Sequence, residues 1–376
     1  MKKSILFAVC LLVAGALAAQ ISGPPNGDNQ KCRVSQWIGP VEVTITYSSP
    51  DVHGPNGEDR KGHIWGELVP YGFTDQGFGT SKAAPWRAGA NENTTISFSH
   101  DVKVGGYEVK AGTYGLFLDV EKDNPWNWIL SKNSSAWGSF FYDAKDDLAR
   151  IAATPADAPH TEWLTYGFDD RKPSSATAYL QWETKRLTLP IEVPNINDLY
   201  IAMFRAQLEG SPTGFTFQNW RNAAQFCATN KTHLEQGLLW ADAAIGAAFI
   251  GQENFSTLNT KANVLIAMDR NDEANALMDK AIKLPGATVQ EIHMYGRGLL
   301  AAGQKDKALE IFKYNYKLHP EDRFTPNVGL ARGYTAAGDK KNAIKYWEIA
   351  LANIPENQKQ FLSQYQAELQ KVKDGK

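Results

Sequence analysis

From residue 41 onwards, apolar and polar side chains alternate with a period of two, which is the pattern of a half-buried β-strand. In the first such segment, Val41, Val43, Ile45 and Tyr47 alternate with charged and hydroxylated residues. The alternation returns in short segments at 94–99, 114–120, 126–130, 162–167, 177–183 and 187–193. Gly105-Gly106 interrupts residues 102–109 as a two-residue hairpin turn would. These segments predict an antiparallel β-sandwich or barrel-like domain over residues 35–195.

After Pro194 the apolar spacing becomes that of amphipathic helices. Pro285, Pro320 and Pro355 are separated by equal intervals of 35 residues, close to the roughly 34 residues of a tetratricopeptide repeat (TPR). Residues 196–376 are therefore predicted to form an α-helical TPR-like solenoid. Clear repeats are expected over about 254–355 and a capping helix over 356–373. Residues 198–250 fit either degenerate repeats or a separate helical adaptor.

The N-terminus has the features of a secretory signal peptide over residues 1–19. Lys2 and Lys3 precede an apolar run from Ile5 to Leu17, and a small-x-small cleavage site ends at Ala18. An uncleaved membrane anchor is the alternative, but the run is shorter than the ~20 residues that a spanning helix needs. We expect export, cleavage near Ala18 and a periplasmic or extracellular protein. Residues 20–34, rich in Gly, Pro and polar residues, are predicted to be a flexible leader.

The amino-acid composition limits the classes of molecule that this protein is expected to bind. The chain of 376 residues has 39 basic and 41 acidic residues, so it lacks the excess of Lys and Arg that a nucleic-acid partner requires. No segment after the signal peptide is long and apolar enough to suggest an integral membrane protein. Cys32 and Cys227 remain after cleavage. They either pair in an oxidising compartment or stay as two separate thiols.

Five segments carry a resemblance to a known family. They read YSSPDVHG, IWGELVPYG, WRAGANENTTISFS, VKAGTYGLF and WGSFFYD, starting at residues 47, 64, 86, 109 and 137. They resemble the bacterial domain of unknown function 2911 (DUF2911) over about residues 35–193. The resemblance implies an exported all-β domain without an established activity, followed in some members by a TPR-like tail. The segments Pro55–Lys61 and Phe73–Pro85 lengthen two loops relative to the family pattern.

The region around these loops supplies candidates for a hydrolase-type enzyme. The candidate catalytic residues are Asp51, His53, Arg87, Asn91 and Glu92. In this hypothesis Arg87 binds a carboxylate or phosphate-like group, Asn91 orients it, and Glu92 or Asp51 acts as the base. No nucleophile elbow, P-loop or dinucleotide fingerprint accompanies them.

A structural interpretation of the same loop is equally simple. Arg87 and Glu92 would form an ion pair that closes the loop against Trp65 and Trp86, since guanidinium groups stack well on indole rings.

Indole rings suggest a ligand-binding alternative. Trp65, Tyr71 and Trp86 lie beside glycines and are candidates for lining a site for a sugar or another small molecule. Trp126 and Trp128 alternate with Asn127, which fits the inner face of a sheet better. A carbohydrate-binding module is therefore a third hypothesis.

Metal binding has weaker support in the sequence. His53, His63 and Glu92 are suitable ligand types for a divalent metal, but their spacing matches no recognised motif. Solvated loop residues are the alternative, and we expect no cofactor.

The helical half suggests a protein partner. Stacked helix pairs form a concave groove lined by the first helix of each repeat, and Asn263, Tyr295 and Asn327 are the candidate groove residues. The alternative is a short solenoid that only stabilises its neighbour. Taken together, the sequence favours an exported cell-envelope protein with a binding or scaffolding role.

Overall fold

The computed structural model describes residues 29–54, 56–123 and 125–375. The chain divides into two compact units, and the boundary along the sequence lies between Tyr200 and Ile201. The predicted signal peptide at 1–19 and the leader up to residue 28 lie outside the described residues.

The first unit is built from antiparallel strands. In the described residues these are β1 (Gln30–Ile38), β2 (Val41–Ser49), β3 (Thr95–Phe98), β4 (Val102–Val104), β5 (Tyr107–Val109), β6 (Gly112–Asp119), β7 (Trp126–Ser131), β8 (Asp147–Ala153), β9 (Ala156–Lys172) and β10 (Ser175–Glu192). One sheet has the strand order β1-β2-β3-β6-β7-β8, and the other has the order β5-β4-β10-β9. The predicted fold class of this half is confirmed.

The two sheets share one hydrophobic core. Val43 and Ile45 of β2 and Trp128 of β7 pack in the same cluster as Leu180 and Trp182 of β10. The Trp128 indole N–H also donates to the backbone carbonyl of Thr188 across the core, at 2.9 Å. Strands β3, β4 and most of β2 bury alternate residues, as the period of two predicted, whereas β6 and β7 bury consecutive residues on both faces. The arrangement is therefore a sandwich.

Two details differ from the sequence-based expectation. Strand β1 begins at Gln30, so residues 30–34 pair with β2 and are not part of a flexible leader. The segments 177–183 and 187–193 also merge into the single strand β10. Glu183 has a left-handed φ of 51° at an irregularity in the register with β9. Before this bulge the buried residues occupy even positions up to Trp182, and after it they occupy odd positions from Leu187 onwards. The single strand therefore gave two separate periodic signals in the sequence.

Helices follow β10. They are α1 (Ile196–Gly210), α2 (Phe217–Asn230), α3 (Leu234–Gly246), α4 (Phe255–Ala267), α5 (Asn271–Ala281), α6 (Val289–Ala301), α7 (Lys305–Leu318), α8 (Thr325–Ala336), α9 (Lys340–Ala352) and α10 (Leu362–Asp374). Short 3₁₀ segments occupy Ala144–Asp146, Pro212–Phe215 and Glu356–Phe361. Each of the three evenly spaced prolines follows the second helix of a pair, namely α5, α7 or α9. The predicted class of the second half, paired helices with TPR-like spacing, is confirmed.

Small residues let the helices approach each other, as the repeat pattern requires. A Cβ at Gly296 of α6 would lie 2.5 Å from the ring of Phe312 in α7, and Phe312 is fully buried. Asn315, which replaces a small apolar residue of the repeat, is also buried and donates from Nδ2 to the Val289 carbonyl at 2.9 Å. Tyr365, Leu369 and Val372 of α10 pack on the last pair, so α10 covers the end of the array.

Candidate functional site

A groove with a volume of about 920 Å³ runs along the helical unit. Its walls come from α2, α4 and α6, which are the first helices of successive pairs, and from α5. Within a TPR-like array this is the surface on which first helices lie side by side. The groove is therefore a property of the repeat architecture.

Side-chain amides are the most numerous polar groups in the lining of the groove. Its eight carboxamides are Asn222, Gln225, Asn259, Asn263, Asn271, Asn275, Gln290 and Gln304. Arg221 and Glu291 are the charged residues of this lining. Glu291 is already engaged, because its carboxylate accepts from the backbone N–H of Thr288 in the capping box of α6. The groove is thus nearly uncharged, with amides set in a largely apolar surface.

Some of these amides are bonded within the protein and others are available. Asn263 donates from Nδ2 to Oε1 of Gln225 at 3.0 Å, which links α4 to α2. Asn259 and Asn275 are half-buried, and the described part of the chain offers their side chains no hydrogen-bond partner. An amide has both donors and an acceptor, so these two groups can satisfy either kind of group on a ligand.

Apolar and aromatic groups lie between the amides. Ile266 and Met294 line the groove with about half of their surface exposed, at 51% and 49%. Tyr295 also lines it, and its hydroxyl is buried without a hydrogen-bond partner. Burial raises the pKa of Tyr295 to about 12, so the hydroxyl remains a neutral donor at physiological pH.

The predicted groove residues separate into two groups. Asn263 and Tyr295 line the groove. Asn327 does not, because it is buried in α8, where its Nδ2 donates to the Arg323 carbonyl one turn earlier. The repeat pattern correctly identified α4 and α6 as groove helices, but the lining of this groove includes no residue of α8.

The β unit has a second cavity, with a volume of about 430 Å³. The loops between β2 and β3 form most of its lining, including Trp86, Arg87 and Asn91. Arg60, Thr74 and Ala84 come from the two loops that are longer than in the DUF2911 pattern. Trp182 of β10 forms part of the wall.

The candidate catalytic residues of this region do not meet in one cavity. Glu92 lines a different cavity, of about 230 Å³, and Asp51 forms a β-bridge with Trp163. His53 is exposed, and its Nδ1 lies 2.8 Å from Oε1 of Glu162. That hydrogen bond and the carboxylate charge raise the pKa of His53. Of the five candidates, only Arg87 and Asn91 therefore share a cavity.

The expected ion pair between Arg87 and Glu92 is also absent. Arg87 donates from Nη1 to the backbone carbonyl of Asn91 at 2.8 Å, and its guanidinium lies 5.8 and 5.3 Å from the ring centres of Trp137 and Phe140. Glu92 instead forms an ion pair with Lys31, in which Oε1 of Glu92 lies 3.4 Å from Nζ of Lys31. Arg87 does stack on aromatic rings, as expected, but these are the rings of Trp137 and Phe140 and not those of Trp65 and Trp86.

The metal-ligand candidates are likewise dispersed. His63 pairs with Glu67 at 2.9 Å, whereas His53 pairs with Glu162 and Glu92 with Lys31. Over residues 29–54, 56–123 and 125–375, no group of three or more His, Cys, Asp or Glu side chains is placed to hold a metal ion.

The aromatic candidates have different surroundings. Trp65 and Trp86 join Trp126 and Trp182 in one indole cluster, in which the ring centres of Trp86 and Trp182 lie 6.1 Å apart and nearly parallel. Tyr71 packs its ring on Gly66 and does not line the cavity. Trp126 and Trp128 are buried, which agrees with the inner-face interpretation.

Sequence reasoning missed Arg60 and Trp182 as cavity residues. Arg60 belongs to the lengthened loop Pro55–Lys61, so the length of that loop was the available signal. Trp182 of β10 is distant in sequence, and the packing of the two sheets brings it next to Trp86. Cys32 and Cys227, whose pairing the sequence left open, are both free thiols.

Comparison with known families confirms the resemblance of the β unit. Residues 29–191 match the family model described as "Protein of unknown function (DUF2911)". The match covers β1 and ends within β10, so it includes every residue that lines the β-unit cavity. The description of this family assigns no activity.

Among solved structures, the chain is similar to MamA AMB-1, with 13% sequence identity over 42% of this chain and 90% of the MamA chain, at a TM-score of 0.27. The MamA RS-1 ArsTM double mutant is similar with 17% identity over 42% and 95% of the two chains, at a TM-score of 0.28. None of the curated proteins compared with this chain matches it. Within the described ranges, no helix combines the length and apolar character needed to cross a bilayer.

Proposed function

We propose that this is a binding protein whose helical groove holds an extended, largely uncharged peptide segment of a partner protein. The observation that carries the proposal is the row of carboxamides on α2, α4, α5 and α6. An extended peptide presents backbone N–H and C=O groups that need partners once water is removed. Amides supply both donors and acceptors for them without a charge preference.

The remaining lining supports the same occupant. Half-exposed Ile266 and Met294 offer apolar contacts for side chains of the peptide, and Met adapts to different shapes. A strongly charged peptide would find only Arg221 and Glu291, which are opposite in sign.

A display library of random peptides, selected on the full-length protein, tests this function. We expect enrichment of peptides with few charged residues. Replacing Asn259 and Asn275 together by alanine removes two groups that are free to bond a ligand. At about 1 kcal/mol for each hydrogen bond, the affinity for a selected peptide should fall roughly thirtyfold.

The matched control is the double variant Gln364→Ala/Gln366→Ala, which removes two exposed amides from α10, outside the groove. It should bind as the unmodified protein does. Selection of no peptide, or equal binding by the Asn259/Asn275 variant, would contradict the proposed function.

We further propose that the protein acts in the cell envelope after export. The support for this is the pattern of residues 1–19, with its charged start, its short apolar run and the site at Ala18. Intact-mass measurement on protein isolated from its own cells tests it. The expected mass lacks about the first 18 residues, and an uncleaved chain in the cytoplasmic fraction would refute it.

A further inference from the structure

The β-unit cavity has a charge imbalance that the proposed peptide groove lacks. Arg60 and Arg87 line it, and no Asp or Glu is among its described lining residues. Arg87 is half-buried, donates to the neutral carbonyl of Asn91 and stacks on the rings of Trp137 and Phe140, but it has no carboxylate partner among the described residues. Burial alone lowers its pKa. A cation withdrawn from water without a counter-ion is costly, and a bound anion would offset that cost.

Arg60 is a second cation at the same cavity. About a quarter of its side chain is exposed, and its nearest carboxylate is the exposed Glu58, 3.7 Å from Nη2. This distance is too long for a strong hydrogen bond. The guanidinium of Arg60 is therefore available to a ligand, since a planar fork of N–H donors suits a carboxylate.

Trp86 gives the cavity an apolar wall, and the fully buried Trp182 lies behind it, with an interplanar angle of 19° between the two rings. Both indole N–H groups are already used: Trp86 donates to the Gly89 carbonyl and Trp182 to the Glu162 carbonyl. The partly exposed ring of Trp86 therefore offers π surface and edge to a ligand rather than a hydrogen bond, which favours a flat apolar group.

The loop beside these rings is strained and firmly held. Ala88 and Asn91 have left-handed φ angles of 50° and 53°, a backbone conformation that is uncommon for non-glycine residues. The Ala88 carbonyl accepts from the hydroxyls of Thr94 and Tyr166, at 2.9 and 2.8 Å. Unfavourable backbone conformations that buried hydrogen bonds stabilise are common at ligand sites. Such a loop keeps the cavity wall in its binding conformation before the ligand binds, which lowers the cost of binding.

We propose that this cavity binds a small organic anion that combines a planar apolar ring with one acidic group. Arg60 and Arg87 bind the acid, and the exposed part of the Trp86 ring contacts the planar ring of the ligand. The volume of about 430 Å³ lies at the lower end of the range for small-molecule sites. It suits one ring system and excludes a polymer chain. The site is separate from the helical groove and does not depend on the peptide-binding function.

Titration calorimetry of the full chain with naphthalene-2-carboxylate tests this site. We expect one molecule bound per chain. The uncharged naphthalene-2-carboxamide should bind at least tenfold more weakly because it lacks the anion, and so should cyclohexanecarboxylate because it lacks the planar ring. Equal binding of all three compounds, or no binding of the naphthoate, overturns the proposal.

Variants locate the site. Arg60→Gln removes a cation from a partly exposed loop and should lower the affinity for naphthalene-2-carboxylate about tenfold without lowering the thermal midpoint. Ala90→Leu should abolish binding, because Ala90 lines the cavity and the larger side chain fills it. Arg33→Gln, at an exposed position of β1, is the control and should bind normally. Undiminished binding by both cavity variants shows that the naphthoate binds elsewhere and refutes the assignment.

Discussion

At the scale of single residues, environment decides chemical behaviour more than residue type does. Two histidines illustrate this. His53 is exposed beside Glu162, which raises its pKa. His293 of α6 is 4% exposed and packs on Phe312 of α7, and its Nδ1 has no partner among the described residues. Burial lowers the pKa of His293 to about 3, and the charges of Arg332 and Arg297 act in the same direction. The sequence alone does not distinguish the two rings.

The pKa of His293 predicts a loss of stability in acid. The folded protein keeps this ring neutral down to about pH 3, whereas the unfolded chain protonates it near pH 6.5. The unfolded state therefore binds more protons, and the free energy of unfolding falls as the pH drops from about 6.5 towards 3. Between pH 7 and pH 5 the contribution is about 2 kcal/mol. Urea denaturation at both pH values should show this extra loss in the unmodified protein but not in His293→Gln; equal losses would contradict it.

The two thiols also predict different reactivity. Cys227 is fully buried, and burial raises its pKa to about 11. Cys32 is partly exposed on β1. Because the thiolate is the reactive form, iodoacetamide should modify Cys32 in the native protein and Cys227 only after unfolding. Peptide mapping of the alkylated protein checks this. Equal labelling of both residues under native conditions would show that α2 is not packed as described.

At the scale of elements, glycine marks the places where backbones approach. Gly105 and Gly106 both have positive φ and join β4 to β5, so this turn was predictable from two letters. In α6, Gly296 and Gly298 look alike in the sequence. Only Gly296 faces Phe312, while a Cβ at Gly298 would meet no atom within 4 Å. The repeat pattern requires a small residue where helices cross, and Gly296 occupies such a position.

This pair predicts alanine substitutions with opposite signs. Gly296→Ala places a methyl group against Phe312 and should destabilise the helical unit by about 1–3 kcal/mol. Gly298→Ala meets open space and improves helix propensity, so it should stabilise by about 0.5–1 kcal/mol. Chemical denaturation followed by circular dichroism measures both. A stabilising effect at position 296 would mean that α6 and α7 are farther apart than described.

At the scale of the whole molecule, charge is evenly mixed. The 39 basic and 41 acidic residues are distributed over many exposed ion pairs, each of which contributes little to stability. The balance also holds inside the helical groove, with one Arg and one Glu. The β-unit cavity departs from it, with two Arg and no acidic side chain among its described lining residues.

The two sites should therefore respond differently to salt. Peptide binding in the groove should change less than about twofold between 50 and 500 mM NaCl, because few charges face the peptide. Binding of naphthalene-2-carboxylate in the β-unit cavity should weaken several-fold over the same range. Calorimetry at the two salt concentrations separates the cases, and a steep salt dependence of peptide binding would argue against an amide-based groove.

The sequence by itself determined the local elements and their order. Periods of two and of about 3.6 residues, the Gly105-Gly106 turn and the evenly spaced prolines are local signals, because they reflect which face of each element is buried. They were sufficient for a sandwich followed by paired helices, and for two of the three groove residues. Tertiary structure decided which side chains meet. Arg87 bonds the Asn91 carbonyl whereas Glu92 pairs with Lys31, and the packing of the two sheets brings Trp182 to Trp86 from almost a hundred residues away. Such long-range contacts depend on how whole elements pack, and no short stretch of sequence encodes them.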